Sequence, residues 1–301
     1  MDAKSLSYAD FHVDTLSSAE DLSLFIDDPM LQAPLSALQH YRKALIYYAI
    51  FTPPTVDETN GYRRFLTLAK RMQKTHLPEN ISAILSIENA HILGSDEDTA
   101  RERLHEAYAC GVRLITPVWR GENALGGAHD TASGLSALGD TVVRSAARLG
   151  ILVDISHASP NTADAIVSIL QELSFPVIAT HSNAFSLCPH TRNLYDRHFD
   201  AIVASGGIVG INLYKPFLSQ GTATLTDVLH HIDYFCTRGG EKNVAIGSDF
   251  DGAELFPDGV FGVSDMPRLY EAMLRHGYSE RTVNDIFYGN LKCFTDTYIR
   301  L

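Results

Sequence analysis

Short apolar runs alternate with longer segments of helical period along almost the whole chain. Residues 8–13 open the series as a short strand. Residues 44–51 (ALIYYAIF), rich in β-branched and aromatic side chains, are the second strand, and an amphipathic helix follows over 61–74. The third strand spans 81–87 and leads to a helix over 98–110 that Gly111 closes. A fourth strand over 112–118 runs into a Gly-rich loop and a helix over 137–149 ending on Gly150. Residues 151–155 and 177–179 are a fifth and a sixth strand, too brief and too apolar to face water. Between them, residues 159–174 place Ala163, Ile166, Val167, Ile169, Leu170 and Leu173 at helical spacing behind a Ser-Pro-Asn start signal. Helix 196–204, strand 208–213, helix 225–237 and strand 244–247 continue the alternation, and two helices over 265–275 and 280–300 close it.

Eight strands alternating with helices predict an α/β protein. The predicted architecture is a (β/α)8 TIM-type barrel with extra C-terminal helices, and an open doubly wound sheet is the alternative. The chain has 301 residues, and such a barrel needs about 250. No linker, repeat or low-complexity stretch interrupts it, so residues 1–301 are expected to form one domain. The longer loops, 52–60, 120–136 and 249–263, all follow strands, on the side where a barrel carries its active site.

Charge and cysteine content narrow the partners. A net charge of −12 argues against nucleic-acid or anionic-membrane surfaces, which call for basic patches. The four cysteines, Cys110, Cys188, Cys236 and Cys293, are scattered with no C-x-x-C pair, the pattern of free thiols in a reducing compartment. The start, MDAKSLSYADFHVD, lacks a basic segment followed by an apolar core, and no apolar run approaches the roughly 20 residues of a membrane helix. A cytoplasmic location is the expectation.

The candidate chemistry sits at strand ends. His12 and Asp14 end the first strand at i and i+2, so imidazole and carboxylate can meet one cation. Glu88 ends the third strand in LSIENA, His157 and His181 end the fifth and sixth, and Asp249 follows the eighth in IGSDFDG. Each signal alone is weak: H-x-D is common, Glu88 could cap or pair, and Asp251 reads as a turn aspartate. Their shared position is not weak, because all would converge on one rim of a closed barrel. Imidazole and carboxylate donors suit zinc, with manganese or cobalt as alternatives, and thiolates are absent from the set. Five ligands exceed what one open catalytic zinc takes; they fit two ions sharing a carboxylate, about 3.5–4 Å apart. Such a pair lowers the pKa of a water between them and polarises a carbonyl or phosphoryl oxygen. His40, His76, His105, His230, His231 and His276 fall on or beside helical segments and read as surface or capping groups.

The segments FHVD, SIENA, VDISHAS, ATHSNAFSLCPHTRN and IGSDFDG, in this order over residues 11–252, resemble the membrane dipeptidase (renal dipeptidase) family of zinc peptidases, amidohydrolase-like metal-dependent barrels. DMPRLYEAMLRHGYSERTVNDIFYGNLKCF resembles that family's C-terminal helices. The resemblance implies one zinc on His12 and Asp14, a second on His157 and His181, and Glu88 bridging them. It implies Asp249 as the proton-transferring carboxylate and Arg192, followed by Asn193, as the grip on the substrate's carboxylate. It also implies a homodimer and a small-molecule dipeptide substrate. One position departs: where animal members carry a substrate-binding histidine after the fourth strand, LITPVWRGENALGGA has Trp119, and no histidine follows until His129. The resulting expectation is a dinuclear zinc dipeptidase acting on dipeptides with a free C-terminal carboxylate. The alternatives are a related barrel hydrolase for another amide, lactam or ester, and a metal-binding barrel without catalysis.

Overall fold

The computed structural model describes residues 3–299 and places eight strands in one all-parallel sheet: β1 (Ser7–Val13), β2 (Lys43–Phe51), β3 (Ile81–Glu88), β4 (Val112–Thr116), β5 (Leu152–Val153), β6 (Ile178–Ala179), β7 (Ile208–Ile211) and β8 (Val244–Ile246). Their order is β5-β4-β3-β2-β1-β8-β7-β6. The two ends of that row meet through a parallel bridge between Asp154 and Ile178, so the sheet closes. The expected barrel is therefore present, and the open sheet is excluded.

Alternate residues of the strands fill the barrel. Ala9 and Phe11 of β1, Leu45 and Tyr47 of β2, Ile84, Leu114, Leu152, Ile178, Ile208 and Ala245 form one buried cluster, as the period of two requires. Residues of opposite parity, such as Ala44, Ile46, Tyr48 and Ile50, face the surrounding helices. The helix Asn290–Tyr298 stoppers the amino-terminal mouth of the barrel. Its Leu291 and Phe294, with Ile299 beyond, join the interior cluster, and the Tyr47 hydroxyl lies 2.8 Å from Thr295 Oγ1.

The helices largely follow the sequence pattern. Ala137–Leu149 and Asp196–Ala204 match expectation, and Pro160–Glu172 starts where Ser159 caps the Thr162 amide at 3.0 Å. Three departures have physical causes. First, β5 and β6 are only two residues each. Asp154 Oδ1 accepts the amides of Ser156 at 2.8 Å and Thr180 at 2.9 Å, drawing those donors out of the strand ladder. Second, wide π turns at Cys236–Gly240 and Asp285–Gly289 interrupt the helices expected over 225–237 and 280–300; the last expected position, Arg300, lies outside the described residues. Third, residues 14–42, unassigned by pattern, fold into short helices that Asp251 pins. Its carboxylate accepts from the Gln32 amide at 2.6 Å and from Thr15 Oγ1 at 2.6 Å, so Asp251 ties a distant loop down rather than only shaping its own turn.

Candidate metal centre and substrate cavity

The carboxyl ends of β1, β3, β5, β6 and β8 bring six side chains together. His12 lies in β1 where the register against β2 shifts between Asp10 and Val13, an irregularity of the kind that re-aims a side chain at a barrel rim. Its Nε2 is 3.4 Å from Asp14 Oδ2 and 3.6 Å from Glu88 Oε2. The other oxygen of Glu88, Oε1, is 3.0 Å from His157 Nε2 and 3.7 Å from His181 Nε2. Two ligand groups result, His12–Asp14–Glu88 and Glu88–His157–His181, sharing Glu88, the carboxylate that the family resemblance gave to both. Asp249 joins a third grouping with His12 and His181.

These donors fit divalent cations. All five ligands are buried, and His12 Nε2 and Asp14 Oδ1 have no hydrogen-bond partner among the described residues. Buried carboxylates without partners are costly unless a cation compensates them. Soft thiolates are absent from the cluster, so nitrogen and oxygen donors define it, a set suited to zinc and its first-row neighbours.

A second layer fixes the imidazoles. Asp154 Oδ2 accepts from Thr180 Oγ1 at 2.6 Å and from Thr116 Oγ1 at 2.9 Å. With its proton committed to Asp154, Thr180 Oγ1 accepts from His181 Nδ1 at 2.6 Å and His12 Nδ1 at 3.3 Å. His157 Nδ1 donates to the Trp119 carbonyl at 3.0 Å. Each ring thus carries a proton on Nδ1 and turns Nε2 toward the ligand cluster, the arrangement that orients metal-binding histidines. Backbone strain concentrates here too. Asn89 (φ 63°), His157 (φ 68°) and Asp249 (φ 66°) all adopt left-handed conformations unfavourable to non-glycine residues, each costing about 1–3 kcal/mol.

The titration behaviour follows from burial and crowding. Burial, reinforced by the charge of Glu88, pushes the Asp14 carboxyl up to about 6. Burial also lifts Asp249 to about 6; Asp14 and Glu88 add to the rise, while His12 and Arg192 oppose it. For His12, burial works against the charged form, but Glu88 and Asp14 outweigh it and raise its pKa well above the usual imidazole value. Burial and then the positive charges of Arg192 and His12 hold His157 well below that value; for His181 the order is burial, His12, Arg192.

A cavity of about 570 Å³ opens above the cluster, within the usual range for small-molecule sites. Arg192 lines it yet is buried, with its Nε and Nη1 unpartnered among the described residues. Its Nη2 makes a 3.4 Å contact with the His181 carbonyl, and its guanidinium carbon lies 5.3 Å over the Phe217 ring. Trp119 lines the cavity with its ring 4.8 Å from Phe51. Asn193, expected to bind substrate, departs from that expectation: it does not line this cavity, and its Nδ2 donates to the carbonyls of Cys188 and Phe217, both at 2.8 Å. It braces the loop that carries Arg192.

Two cavity histidines escaped the sequence reading. His129 is carried in by the Gly-rich loop, whose backbone bonds to the His157 carbonyl at 2.7 Å. Its Nδ1 meets Thr191 Oγ1 at 2.9 Å, and burial with Arg192 beside it lowers its pKa to about 3. His190 lines the same wall; its place in CPHTRN, two residues before Arg192, was the available signal. Conversely, His231 is a buried brace, accepting from the Ala184 amide at 3.1 Å and bonding the Leu218 carbonyl at 3.0 Å.

The sequence profile of the membrane dipeptidase family, peptidase family M19, matches residues 18–296. An uncharacterised protein from the pqqA 5′ region of Klebsiella pneumoniae is 36% identical over 215 residues, covering 67% of this chain and 78% of that one. Dipeptidase aclJ of Aspergillus oryzae is 34% identical over 223 residues, 72% of this chain; the match spans about half (51%) of the relative's length. Among solved structures, a metallopeptidase from Rhodobacter sphaeroides, liganded with a phosphinate mimic of the dipeptide L-Ala-D-Ala, superposes with a TM-score of 0.82 at 25% identity. That superposition covers 98% of this chain and 99% of that one. With the barrel, the doubly shared carboxylate and a profile match over nearly its whole length, the chain belongs to the membrane dipeptidase family of metallopeptidases.

Proposed function

We propose that the protein is a two-zinc dipeptidase that hydrolyses dipeptides bearing a free C-terminal carboxylate. One observation carries the substrate class. Arg192 is a buried guanidinium with two donor positions unpartnered, in the same cavity as the ligand cluster. Such a group is built for an anion, and its planar fork matches a carboxylate. The phosphinate dipeptide mimic bound to the Rhodobacter relative supports the same reading.

His12 and Asp14 would hold one ion and His157 and His181 the other, with Glu88 between them. Ions there supply Lewis-acid polarisation of the scissile carbonyl and a water acidified toward neutrality. The chain's own residues do the rest. Arg192 fixes the terminal carboxylate and so sets the scissile bond one residue away from it. Asp249 Oδ2 accepts from the side-chain Nδ2 of Asn212 at 3.0 Å, and its Oδ1 has no donor among the described residues. That oxygen accepts the proton of the attacking water and returns it to the leaving amine.

The test is a cycle of kcat/KM over enzyme and substrate. Amidating the dipeptide carboxylate should cost about 2–5 kcal/mol, roughly 30- to several-thousand-fold at about 1.4 kcal/mol per decade. Arg192→Ala should lose a similar factor on free dipeptides and almost nothing further on the amides, since both changes delete one interaction. Additive losses would give the site to a broader amide, lactam or ester hydrolase, and N-acyl amino acids and lactones belong in the same panel.

A further inference from the structure

Arg192 does not stand alone on its wall. Two residues earlier, the His190 ring packs 4.6 Å from Phe217, the ring over which the Arg192 guanidinium also lies, at 5.3 Å. Both side chains line the cavity. The Arg192 backbone amide donates to His190 Nδ1 at 3.1 Å. A backbone N–H only donates, so Nδ1 must carry the lone pair and a neutral ring must hold its proton on Nε2. Burial and the neighbouring Arg192 charge lower the His190 pKa, which keeps the ring in that neutral form. Among the described residues, Nε2 has no partner. The local turn, with the His190 carbonyl accepting the Asn193 amide at 2.8 Å, therefore fixes one proton donor beside the guanidinium and gives it nothing among the described residues to bond.

We propose that His190 is a substrate-binding residue whose Nε2–H donates to the dipeptide's terminal carboxylate alongside the Arg192 fork. This rests on the reading of Arg192 as the carboxylate grip. A carboxylate has about four lone-pair sites. The fork takes two and leaves the group free to slide and rock in the fork's plane. A third donor on a rigid ring removes that freedom and holds the scissile bond in register with the ligand cluster. Because the donor is neutral, it adds orientation without placing a second positive charge next to Arg192.

Two variants separate binding from loop bracing. In His190→Asn, the side-chain oxygen stands near the Nδ1 position and keeps an acceptor for the Arg192 amide, but the Nε2 donor is gone. In His190→Gln, a side-chain NH2 reaches toward the Nε2 position while the bracing acceptor is lost. Steady-state kinetics on the zinc-loaded protein with Ala-Ala and its C-terminal amide read the result. His190→Asn should raise KM for the free acid about tenfold or more, the scale of one hydrogen bond to a charged group, with little change in kcat. The preference for acid over amide should shrink by the same factor, and His190→Gln should recover part of it. A His190→Asn enzyme with wild-type KM and preference, or a glutamine variant worse than the asparagine one, would overturn the proposal. Arg192→Ala in the same assay separates the two levels. If it abolishes the acid preference while His190→Asn does not, this inference alone fails. If Arg192→Ala leaves the preference intact, the carboxylate grip itself is wrong.

Discussion

Among the rim side chains, Asp249 is the one whose role its surroundings leave in competition. It lies within reach of a ligand group, yet it carries a raised pKa and a hydrogen bond that leaves one oxygen open. As a proton carrier it should be expendable for metal and indispensable for turnover. Asp249→Asn should therefore lower kcat by at least ~10²-fold, the scale of acid–base catalysis, with metal content unchanged by elemental analysis. Loss of an ion, with activity restored by added zinc, would make it a ligand instead. The ligands themselves should differ in their response to pH. In the metal-free protein His12 holds a proton at neutrality and Asp14 gains one below about 6, and a cation must expel both. His157 and His181 are already neutral. Lowering pH should thus weaken the His12–Asp14 site about tenfold per unit near neutrality, more steeply below 6, while the His157–His181 site stays nearly flat between pH 7 and 6. Calorimetric titrations in buffers of different ionisation enthalpy would count the protons released. Two ions with the same pH slope would contradict the separation.

At the scale of elements, the centre depends on three neighbouring strands agreeing in height. Asp154, just past β5, accepts from Thr116 at the end of β4 and from Thr180 just past β6, and Thr180 in turn orients His181 and His12. Asp154 makes no contact with a cation in this scheme, but it clamps the strand ends that carry the ligands. Asp154→Asn turns an oxygen acceptor into an N–H donor on one side and so cannot satisfy Thr116, Thr180 and the two amides together. It should reduce metal affinity about 10- to 100-fold, read by competition with a chromophoric chelator, while far-UV circular dichroism stays at wild type. Unchanged affinity would show that the clamp is dispensable. The turn after β8 is equally constrained. A Cβ on Gly252 would lie 2.1 Å from Asp14 Oδ2 and 3.0 Å from Asp249 Oδ1, so only glycine allows β1 and β8 to present both carboxylates.

For the molecule as a whole, the sequence carries the barrel and the ligands more plainly than it carries the cavity. Strand ends are legible because apolar runs stop abruptly at polar groups, and His12, Glu88, His157 and His181 sit at such stops. The cavity wall is less legible because loops make it. Nothing in ENALGGAHD says that the hairpin at Glu122–Asn123 and Gly126–Gly127 folds His129 back onto the His157 carbonyl. Likewise the CPHTRN motif sets His190 near Arg192 but does not reveal which of its side chains turn to the cavity and which, like Asn193, turn to the Cys188 and Phe217 carbonyls. Those outcomes depend on contacts between segments far apart in the chain. The stopper at the far mouth of the barrel has its own consequence, which concerns the order of synthesis. β1, which leads into the His12–Asp14 pair, is made more than 230 residues before its partner β8 and still longer before the Leu291–Phe294 plug. His12 and Asp14 must wait, exposed and unable to bind tightly, until β8 and the plug that follows it have been released. Metal capture is then a late event, coupled to closure rather than to the appearance of the ligands. A chain ended before Asn290 should bind zinc far more weakly in equilibrium dialysis despite retaining every ligand; tight binding by that chain would mean the centre matures before the barrel is sealed.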